Sequence, residues 1–426
     1  MSTPLHLGID FGTSGARACV IAAGDEIEAM ERIEFGQLHA FEWVPSWREG
    51  LFDLLGALPA GARRALASLA IAATSGTVLA CDESLLPSAE PMLYNDARAV
   101  AEAERIARAA GPEHPAATPS SGLAKVLWLR SRIGPTRSHL FLNQADWLTA
   151  LLSELPGISD YHNALKMGFG LETRAWPDWV AYLADIDSLP NAVPPGSAIN
   201  RISRTRARQL GIAPDCVVCT GTTDSIAAFL AAGVDRPGVA VTSLGSTLVL
   251  KLLSTTRVDA ARFGVYSHWF GALWLAGGAS NAGGAVLAHH FSSDELSALS
   301  SRIDPTRPSL LDYYPLPAPG ERFPVNDPDL PPRLDPRPDD RAEFLHGILE
   351  GLARIEAEGY RCLHALGATP LHEVHSTGGG ARNPVYAAIR QRHLGCPVRI
   401  AREQEAAYGA ARLACHGSAL FPSRTP

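Results

Sequence analysis

The feature that most constrains this chain is a strand-turn-strand pattern that occurs twice, far apart in the sequence. The first copy spans residues 5–21 and turns at residues 10–15. The second copy spans residues 239–250 and turns at residues 243–247. In each copy, apolar runs flank a turn rich in Gly, Ser and Thr, which predicts two strands joined by a short connection. The recurrence predicts two similar domains in one chain.

A third apolar segment places the division between these domains. Residues 217–219 are typical of a strand, and an apolar helix is predicted from Asp224 until Gly233 ends it as a left-handed glycine. Helices between strands favour an α/β fold. We therefore expect an N-terminal domain at residues 1–233 and a C-terminal domain at residues 234–426.

The C-terminal domain contains a second strand-to-helix connection. A strand is predicted at residues 373–376, and the glycines at 378–380 follow it. Asn383 is a typical N-cap, Pro384 suits the first helical position, and Gly395 ends the predicted helix. A glycine-rich turn between strand and helix lets a ligand approach the backbone closely.

Composition and charge exclude several classes of function. The chain has 37 Lys and Arg against 44 Asp and Glu, so no basic excess predicts nucleic acid or an anionic membrane as a partner. No stretch offers the ~18 consecutive apolar residues that a membrane span requires. Seven scattered cysteines and a start without a signal-peptide pattern predict the reducing cytoplasm. A small-molecule partner fits this balance.

The lysines exclude two schemes of phosphate binding. Lys125, Lys166 and Lys251 are the lysines of this chain, and they follow Ala, Leu and Leu. A Walker A motif requires Gly-Lys, and a protein-kinase β3 strand requires Val-Ala-Ile-Lys. Neither pattern is present.

The first turn nevertheless combines groups suited to a phosphorylated ligand. Asp10 lies at a strand end, the following Gly, Thr and Ser offer N–H and hydroxyl groups to phosphate, and Arg17 comes next. A carboxylate beside phosphate is repulsive unless a cation lies between them, which predicts Mg²⁺ with retained waters. A simple Gly-Ser hairpin explains the same spacing. The matching turn at residues 243–247 favours the phosphate interpretation, because two turns can hold one phosphate chain.

Other polar segments admit two interpretations each. Asp224 suits a base for a substrate hydroxyl, or a helix N-cap. The glycines at 378–380 with Asn383 suit a nucleoside, or a close turn before a capped helix. Residues 74–76 could contact a sugar or only end a strand, and residues 94–98 could bind a polyol or form a solvated turn.

Six glycine-rich or acidic segments follow one another along nearly the whole chain. They are Ile9-Asp-Phe-Gly-Thr-Ser-Gly15, Gly221-Thr-Thr-Asp224, Ser243-Leu-Gly-Ser-Thr247, Gly277-Gly-Ala-Ser-Asn-Ala-Gly-Gly284, Thr377-Gly-Gly-Gly-Ala-Arg-Asn383 and Glu405-Ala-Ala-Tyr-Gly-Ala-Ala411. In this order the set resembles the motifs of the FGGY carbohydrate kinases. The resemblance implies two actin-like (ribonuclease H-like) ATPase domains with a central cleft that holds ATP, Mg²⁺ and a sugar.

The resemblance also implies roles for individual residues. Asp10 corresponds to the metal-side aspartate, which reaches Mg²⁺ through water, and Asp224 corresponds to the catalytic base. The implied ATP-binding residues belong to two phosphate loops and a nucleoside motif: Gly12, Thr13, Ser14 and Arg17; Gly245, Ser246 and Thr247; Gly379, Gly380 and Asn383.

The sugar is indicated by departures from the common pattern. Typical xylulokinases carry Gln-Met-His-Gly where this chain has Thr-Ser-Gly-Thr at residues 74–77, so the usual sugar-facing histidine is absent. Three further segments resemble those of a small subgroup of plant and cyanobacterial xylulokinase-like proteins that are interpreted as D-ribulokinases. These segments are residues 94–98, 160–166 and 321–324. This resemblance implies D-ribulose as the first candidate substrate, ahead of D-xylulose and of other ketoses or polyols.

In that subgroup the counterparts of Asp10, Ser75 and Asp224 hold the ketopentose, and Asp96 is a further candidate for contact with its hydroxyl groups. An alternative of another class is a non-catalytic actin-like nucleotide switch, which shares the phosphate loops but needs neither a base nor a sugar pocket. The sequence leaves the oligomeric state open, a homodimer included.

Overall fold

The computed structural model describes residues 3–133 and 139–423. Its strands are β1 (Leu5–Phe11), β2 (Gly15–Ala22), β3 (Ile27–Glu34), β4 (Leu66–Ala73), β5 (Val78–Cys81), β6 (Leu140–Asn143), β7 (Ile158–Asp160), β8 (Asn191–Val193), β9 (Ala198–Arg201), β10 (Val217–Cys219), β11 (Thr222–Thr223), β12 (Val239–Leu244), β13 (Leu248–Ser254), β14 (Tyr266–Phe270), β15 (Leu273–Ser280), β16 (Glu373–Thr377) and β17 (Val398–Ile400). Its α-helices are α1 (Trp43–Ala57), α2 (Ala60–Ala65), α3 (Val100–Ala110), α4 (Gly122–Ile133), α5 (Gln144–Ser153), α6 (Tyr161–Leu165), α7 (Asp178–Leu183), α8 (Arg204–Leu210), α9 (Asp224–Ala231), α10 (Gly284–His290), α11 (Ser293–Ser300), α12 (Arg341–Ala365), α13 (Pro384–Leu394) and α14 (Ala406–His416).

Two compact units divide the described residues. Unit 1 contains residues 3–133, 139–231 and 405–423, and unit 2 contains residues 232–404. In unit 1, apolar side chains of β1 and β4 pack with those of α1 and α5. In unit 2, the long helix α12 packs its apolar side chains with those of β12 and β13. Each unit therefore has a hydrophobic core of its own.

The main sheet of unit 1 has the strand order β3-β2-β1-β4-β10-β9, and β11 pairs with β4. β1 is antiparallel to β2, whereas β1 and β11 both run parallel to β4. In this register Asp10 and Thr222 both pair with Ala72. The carboxyl ends of these three strands therefore meet at one edge, which places Asp10, Thr74 and Asp224 together.

The main sheet of unit 2 repeats this plan, with the order β14-β15-β13-β12-β16-β17. β12 is antiparallel to β13 and parallel to β16. Ser243 pairs with Thr377, so the turn that follows β12 lies beside the glycines that follow β16. The two strand-turn-strand segments predicted from the sequence are thus confirmed as β1–β2 and β12–β13.

The predicted domain division needs a correction at the C-terminus. It assigned residues 234–426 to one domain, but residues 405–423 belong to unit 1. The reason is the close packing of α14 on β1 and β4: a Cβ atom at Gly8 would lie 2.0 Å from the backbone nitrogen of Ala411. The Ser68 hydroxyl on β4 also donates a hydrogen bond to the Ala414 carbonyl, at 2.7 Å.

The local helix signals in the sequence were sufficient for α13. The Asn383 side chain accepts hydrogen bonds from the N–H groups of Val385 and Tyr386, Pro384 begins the helix, and Gly395 adopts a left-handed conformation at its end. The prediction for this helix is confirmed. Across the described ranges, no helix has both the length and the apolar character to cross a bilayer.

Candidate active site

A pair of aspartates lies at the edge of the unit 1 sheet. Asp10 is 7% exposed, and its Oδ1 is buried without a hydrogen-bond partner among the described residues. The pKa of Asp10 is raised to about 7, chiefly by burial and next by the negative charge of Asp224, while the positive charge of Arg17 opposes the rise. Two carboxylates held this close in a poorly solvated place create a strongly negative potential.

Asp224 begins α9 directly after the short strand β11. Its Oδ1 accepts a hydrogen bond from the N–H of Ser225 at 2.6 Å. The first residue of a helix lies in the positive field of the backbone N–H groups, which favours an ionised carboxylate. Just before it, Thr223 has a buried Oγ1 without a hydrogen-bond partner in the described chain. The arrangement presents a charged acid in a polar environment that the protein itself leaves partly unsatisfied.

The turn between β1 and β2 lies next to Asp10. The Gly12 N–H donates to the Gly15 carbonyl at 3.0 Å and closes the turn, and the Thr13 and Ser14 side chains are exposed. Arg17 on β2 forms an ion pair with Glu405 at 3.5 Å, and both side chains are about half exposed. An exposed turn with free hydroxyl groups and a solvated arginine suits phosphate oxygens.

These residues fit a divalent cation. A buried carboxylate oxygen without a protein partner, beside a second carboxylate, is the environment that Mg²⁺ stabilises, since this ion prefers carboxylate and phosphate oxygens with waters. The structure brings the predicted metal-side residue Asp10 and the predicted base Asp224 together on the same edge.

Unit 2 carries the second predicted phosphate turn. The Gly284 N–H donates to the Gly245 carbonyl at 2.8 Å, and the Ala285 N–H donates to the Ser246 carbonyl at 3.1 Å. The turn is therefore held against the start of α10. Ser246 is exposed and Thr247 is partly exposed.

The glycines after β16 pack against the end of β12. A Cβ atom at Gly380 would lie 3.0 Å from the Cβ of Leu244, and the Gly378 N–H donates to the side-chain oxygen of Gln404 at 2.9 Å. Gly379 has open space around its Cα, so a ligand could approach the backbone there. The Asn383 amide caps α13 and donates to the Ser300 hydroxyl at 2.8 Å. Its side chain is therefore engaged within the protein, and its contact with a nucleoside stays a prediction.

A buried ion pair lies beneath these two turns of unit 2. The Arg390 guanidinium donates to both carboxylate oxygens of Glu356, at 2.6 and 2.7 Å, and both side chains are 0% exposed. Arg390 also donates to the Ser376 hydroxyl on β16, and the Thr242 hydroxyl on β12 donates to Glu356. The network joins the strand ends that precede the two turns.

The turn after β4 holds the predicted sugar-facing serine. The Thr74 hydroxyl donates to the Gln144 side-chain oxygen at 2.7 Å and contacts the Thr77 hydroxyl at 2.7 Å. The Gln144 N–H in turn donates to the Thr77 carbonyl at 3.1 Å. Gly76 has φ of 80°, a left-handed conformation that favours glycine. These bonds fix the turn and leave the Ser75 hydroxyl without a partner among the residues described.

Asp96 lies in the loop that precedes α3. Its carboxylate accepts from the backbone N–H and the guanidinium of Arg98, and these hydrogen bonds outweigh burial and lower its pKa. Asp96 lines a cavity of about 320 Å³ together with Trp43 and Asn95, and Ser75 is not among the residues that line it. Asp96 and Ser75 therefore do not line this cavity together, and the role of Asp96 in sugar binding stays a prediction.

Sequence reasoning missed several residues that support the site. Glu405 begins the last of the six glycine-rich or acidic segments, and its negative charge also raises the pKa of Asp10. Gln144 and Lys125 hold the turn at residues 74–77 through side chains far away in the sequence. A lone Gln or Lys in a helix has no local pattern that marks it.

Comparisons with known proteins agree on one family. Residues 240–418 match the model of the C-terminal domain of the FGGY family of carbohydrate kinases. A xylulose kinase from Staphylococcus epidermidis is 22% identical over 441 residues, which covers 97% of this chain and 88% of that protein. A glycerol kinase from Bordetella parapertussis is 28% identical over 457 residues, covering 96% and 87%.

Solved structures share the fold. A crystal structure from Brucella ovis, described as that of a xyloylose kinase, superposes with a TM-score of 0.85 and 21% identity, covering 99% of this chain and 93% of that one. The similarity establishes the two-domain actin-like α/β fold that the sequence motifs implied.

Proposed function

We propose, from the premise that this chain belongs to the FGGY family of carbohydrate kinases, that it transfers a phosphoryl group from ATP to a free ketopentose. The chain is a carbohydrate kinase, a phosphotransferase with an alcohol group as acceptor. The observation that carries the proposal is the pairing of Asp10 and Asp224 at one sheet edge, beside an exposed phosphate-type turn. A nucleotide switch needs the turn but has no use for the second carboxylate.

In this proposal Asp224 orients a sugar hydroxyl and accepts its proton as the new P–O bond forms. Phosphoryl transfer depends mainly on positioning and charge neutralisation, so a correctly placed carboxylate is sufficient as the base. Ser75, from a turn that the protein holds rigid, donates or accepts a hydrogen bond at another hydroxyl of the same sugar. Arg17 and the N–H groups of residues 12–14 and 245–247 neutralise phosphate charge.

Asp10 would hold Mg²⁺ through water, and Glu405 lies close enough to add negative charge there. When bound, Mg²⁺ supplies charge neutralisation for the phosphates. The cation would also relieve the repulsion between Asp10 and Asp224, so that both carboxylates stay ionised during turnover.

The identity of the ketopentose rests on two observations that point in different directions. The turn Thr-Ser-Gly-Thr at residues 74–77 lacks the histidine of typical xylulokinases and favours D-ribulose. The names of the relatives favour D-xylulose at least as well. A buried polar group left unpaired costs about 1–3 kcal/mol, so a site built for one epimer should prefer it by roughly tenfold or more in kcat/KM.

A panel of pentuloses, hexuloses and polyols in one coupled ADP-release assay tests the proposal. We expect ADP release that depends on a ketopentose, with D-ribulose ahead of D-xylulose. An equal or reversed ratio would remove D-ribulose from first place, and ADP release that no sugar stimulates would favour the nucleotide switch.

A further inference from the structure

The side chain of Lys125 is a buried cation that the proposed mechanism does not use. It projects from α4 and is 0% exposed. Its Nζ donates to the carbonyls of Gly76 and Leu93, each at 2.6 Å, and of Tyr94 at 3.2 Å. The three N–H donors of the ammonium group are thus matched by three backbone acceptors.

These carbonyls belong to two segments that are distant in sequence. Gly76 is part of the turn at residues 74–77, which carries Ser75, and the other two carbonyls belong to the loop at residues 93–98, which carries Asp96. Gln144 holds the ends of the turn, and Lys125 holds its middle. The loop forms neither helix nor strand. Within it, the Asp96 N–H donates to the Leu93 carbonyl at 3.0 Å, and the Asp96 carboxylate accepts from Arg98.

Lys125 makes no ion pair within the described residues, so charge pairing does not explain its burial. The pKa of Lys125 is lowered to about 7, chiefly by burial and next by the positive charge of Lys166, while the negative charge of Asp96 opposes the shift. A buried cation of this kind is costly to the fold. The chain has 37 Lys and Arg of which only three are lysines, yet this position is a lysine. A compact ammonium suits three acceptors that converge on one point, whereas the planar fork of arginine does not.

We propose that Lys125 is a positioning residue, which ties the turn at residues 74–77 to the loop at residues 93–98 and thereby holds the sugar-facing side of unit 1 in its binding geometry. The link between the two segments stands on the contacts alone. Its consequence for sugar affinity rests on the proposed function.

The first test measures the link without any substrate. Lys125→Met keeps the unbranched side chain as far as its fourth atom and removes the ammonium. We expect hydrogen–deuterium exchange in peptides covering residues 74–77 and 93–98 to become at least about tenfold faster, since local opening determines exchange.

Ser121→Ala is the matched control. Ser121 is buried at the start of α4, where its hydroxyl donates to the Ala116 carbonyl at 2.6 Å and accepts from the Ala124 N–H at 3.2 Å. Loss of this hydroxyl weakens the start of the same helix but leaves the three carbonyls hydrogen-bonded to Lys125. Wild-type exchange in both segments of the Lys125→Met variant, or an equal rise in Ser121→Ala, would overturn the proposal.

The second test is kinetic and uses D-ribulose and D-xylulose. We expect Lys125→Met to raise the KM of the accepted sugar by about tenfold or more, because small displacements of binding groups are costly, while the KM of ATP stays within about twofold. An equal rise in both KM values would show a merely structural role and contradict the proposal. If the wild-type protein phosphorylates neither sugar, the proposed function fails while the exchange experiment still decides the link.

Lys125→Arg covers the case in which the Met variant does not fold. Arginine keeps the charge, so we expect a folded protein whose exchange in the two segments remains faster than in the wild type. Full restoration of exchange and of sugar KM by arginine would contradict a role that depends on three converging carbonyls.

Discussion

The two main sheets share one strand plan, and their hairpins carry different chemical groups at one equivalent position. Asp10 lies one residue before the end of β1, opposite Arg17 on β2, and Ser243 lies one residue before the end of β12, opposite Val249 on β13. The same place in the scaffold thus holds a buried carboxylate in unit 1 and a hydroxyl group in unit 2. The comparison shows how one fold can be used twice, with a carboxylate at this hairpin position only in unit 1.

The buried charges of the two units differ in the same way. In unit 1, burial raises the pKa of Asp10 to about 7, of Asp146 to about 8 and of Asp160 to about 6. In unit 2, the buried Glu356 is held by both arms of Arg390. Unit 1 therefore contains buried carboxyl groups whose ionised forms are disfavoured, whereas in unit 2 a buried carboxylate is paired with an arginine beneath the turns.

The largest effect should come from Asp224, the second acid at the edge of the unit 1 sheet. Asp224→Asn keeps the shape but cannot accept a proton, so we expect kcat to fall by ~10² to 10⁴ with near-normal thermal stability. Steady-state kinetics and a thermal melt on one preparation provide the measurement. Asp178→Asn, at the exposed start of α7, is the control and should leave kcat unchanged. A wild-type rate in Asp224→Asn would leave this carboxylate without a catalytic role.

Breaking the paired charge of unit 2 should cost stability. Arg390→Met leaves Glu356 buried without its partner, which typically destabilises a protein by about 3–5 kcal/mol. Arg361→Met, on the same helix as Glu356, breaks an ion pair with Glu358 in which both side chains are more than half exposed, and should lower the unfolding free energy by at most about 1 kcal/mol. Denaturant titrations of both variants measure the difference. Similar losses in the two variants would argue against the buried pair as the support of the turns.

The contrast between Asp10 and Ser243 predicts a pH dependence of stability. The pKa of Asp10 rises from its ordinary value of 3.8 to about 7 in the folded protein. Between these values the native state binds the proton and the unfolded state does not, so stability falls as pH rises from about 4 to 7. Above pH 7 the full cost of the ionised carboxylate remains.

Asp10→Asn should therefore be more stable than the wild type at pH 8, by up to about 4 kcal/mol at ~1.36 kcal/mol per pKa unit, and the gain should shrink towards pH 4. Ser243→Ala should show no such trend. Unfolding free energies from pH 4 to 8, without nucleotide or Mg²⁺, decide the matter. Asp146 and Asp160 titrate in every variant and cancel in the differences. A pH-independent gain for Asp10→Asn would contradict the raised pKa.

The smallest effect should arise where the two units are most alike. Replacing Thr13 or Ser246 by Phe places a ring on an exposed turn that is predicted to contact phosphate. We expect each change to weaken the binding of ATP by roughly tenfold, about 1.4 kcal/mol, and to leave the affinity for the sugar nearly unchanged. Calorimetric titration with ATP measures it. Unchanged nucleotide affinity in both variants would remove the paired phosphate turns from the account.

Local signals were predictable from the sequence, and long-range packing was not. The hairpins and the cap of α13 depend on neighbouring residues such as Asn383 and Pro384, so their patterns are visible in the chain. The return of α14 to unit 1 depends on Gly8 meeting Ala411, a contact between opposite ends of the chain. No local pattern records such a contact.

The site shows the same division. Asp10 and Asp224 were predicted because each stands in a recognisable turn, and the parallel register of β1, β4 and β11 brings them together. The predicted cap at Asp224 differs from the usual N-cap geometry, since its Oδ1 accepts from the N–H of the adjacent Ser225. The role of Lys125 is not visible in the sequence, because its three acceptors come from two other parts of the chain.

The central claim is that the γ-phosphoryl group of ATP is transferred to a ketopentose, and phosphorus NMR of a single reaction tests it most directly. With Mg²⁺, ATP and D-ribulose or D-xylulose, the account predicts a sugar phosphomonoester that appears in equal amount with ADP, and no turnover when the sugar is left out. Formation of inorganic phosphate alone, or no turnover with either ketopentose, would contradict it.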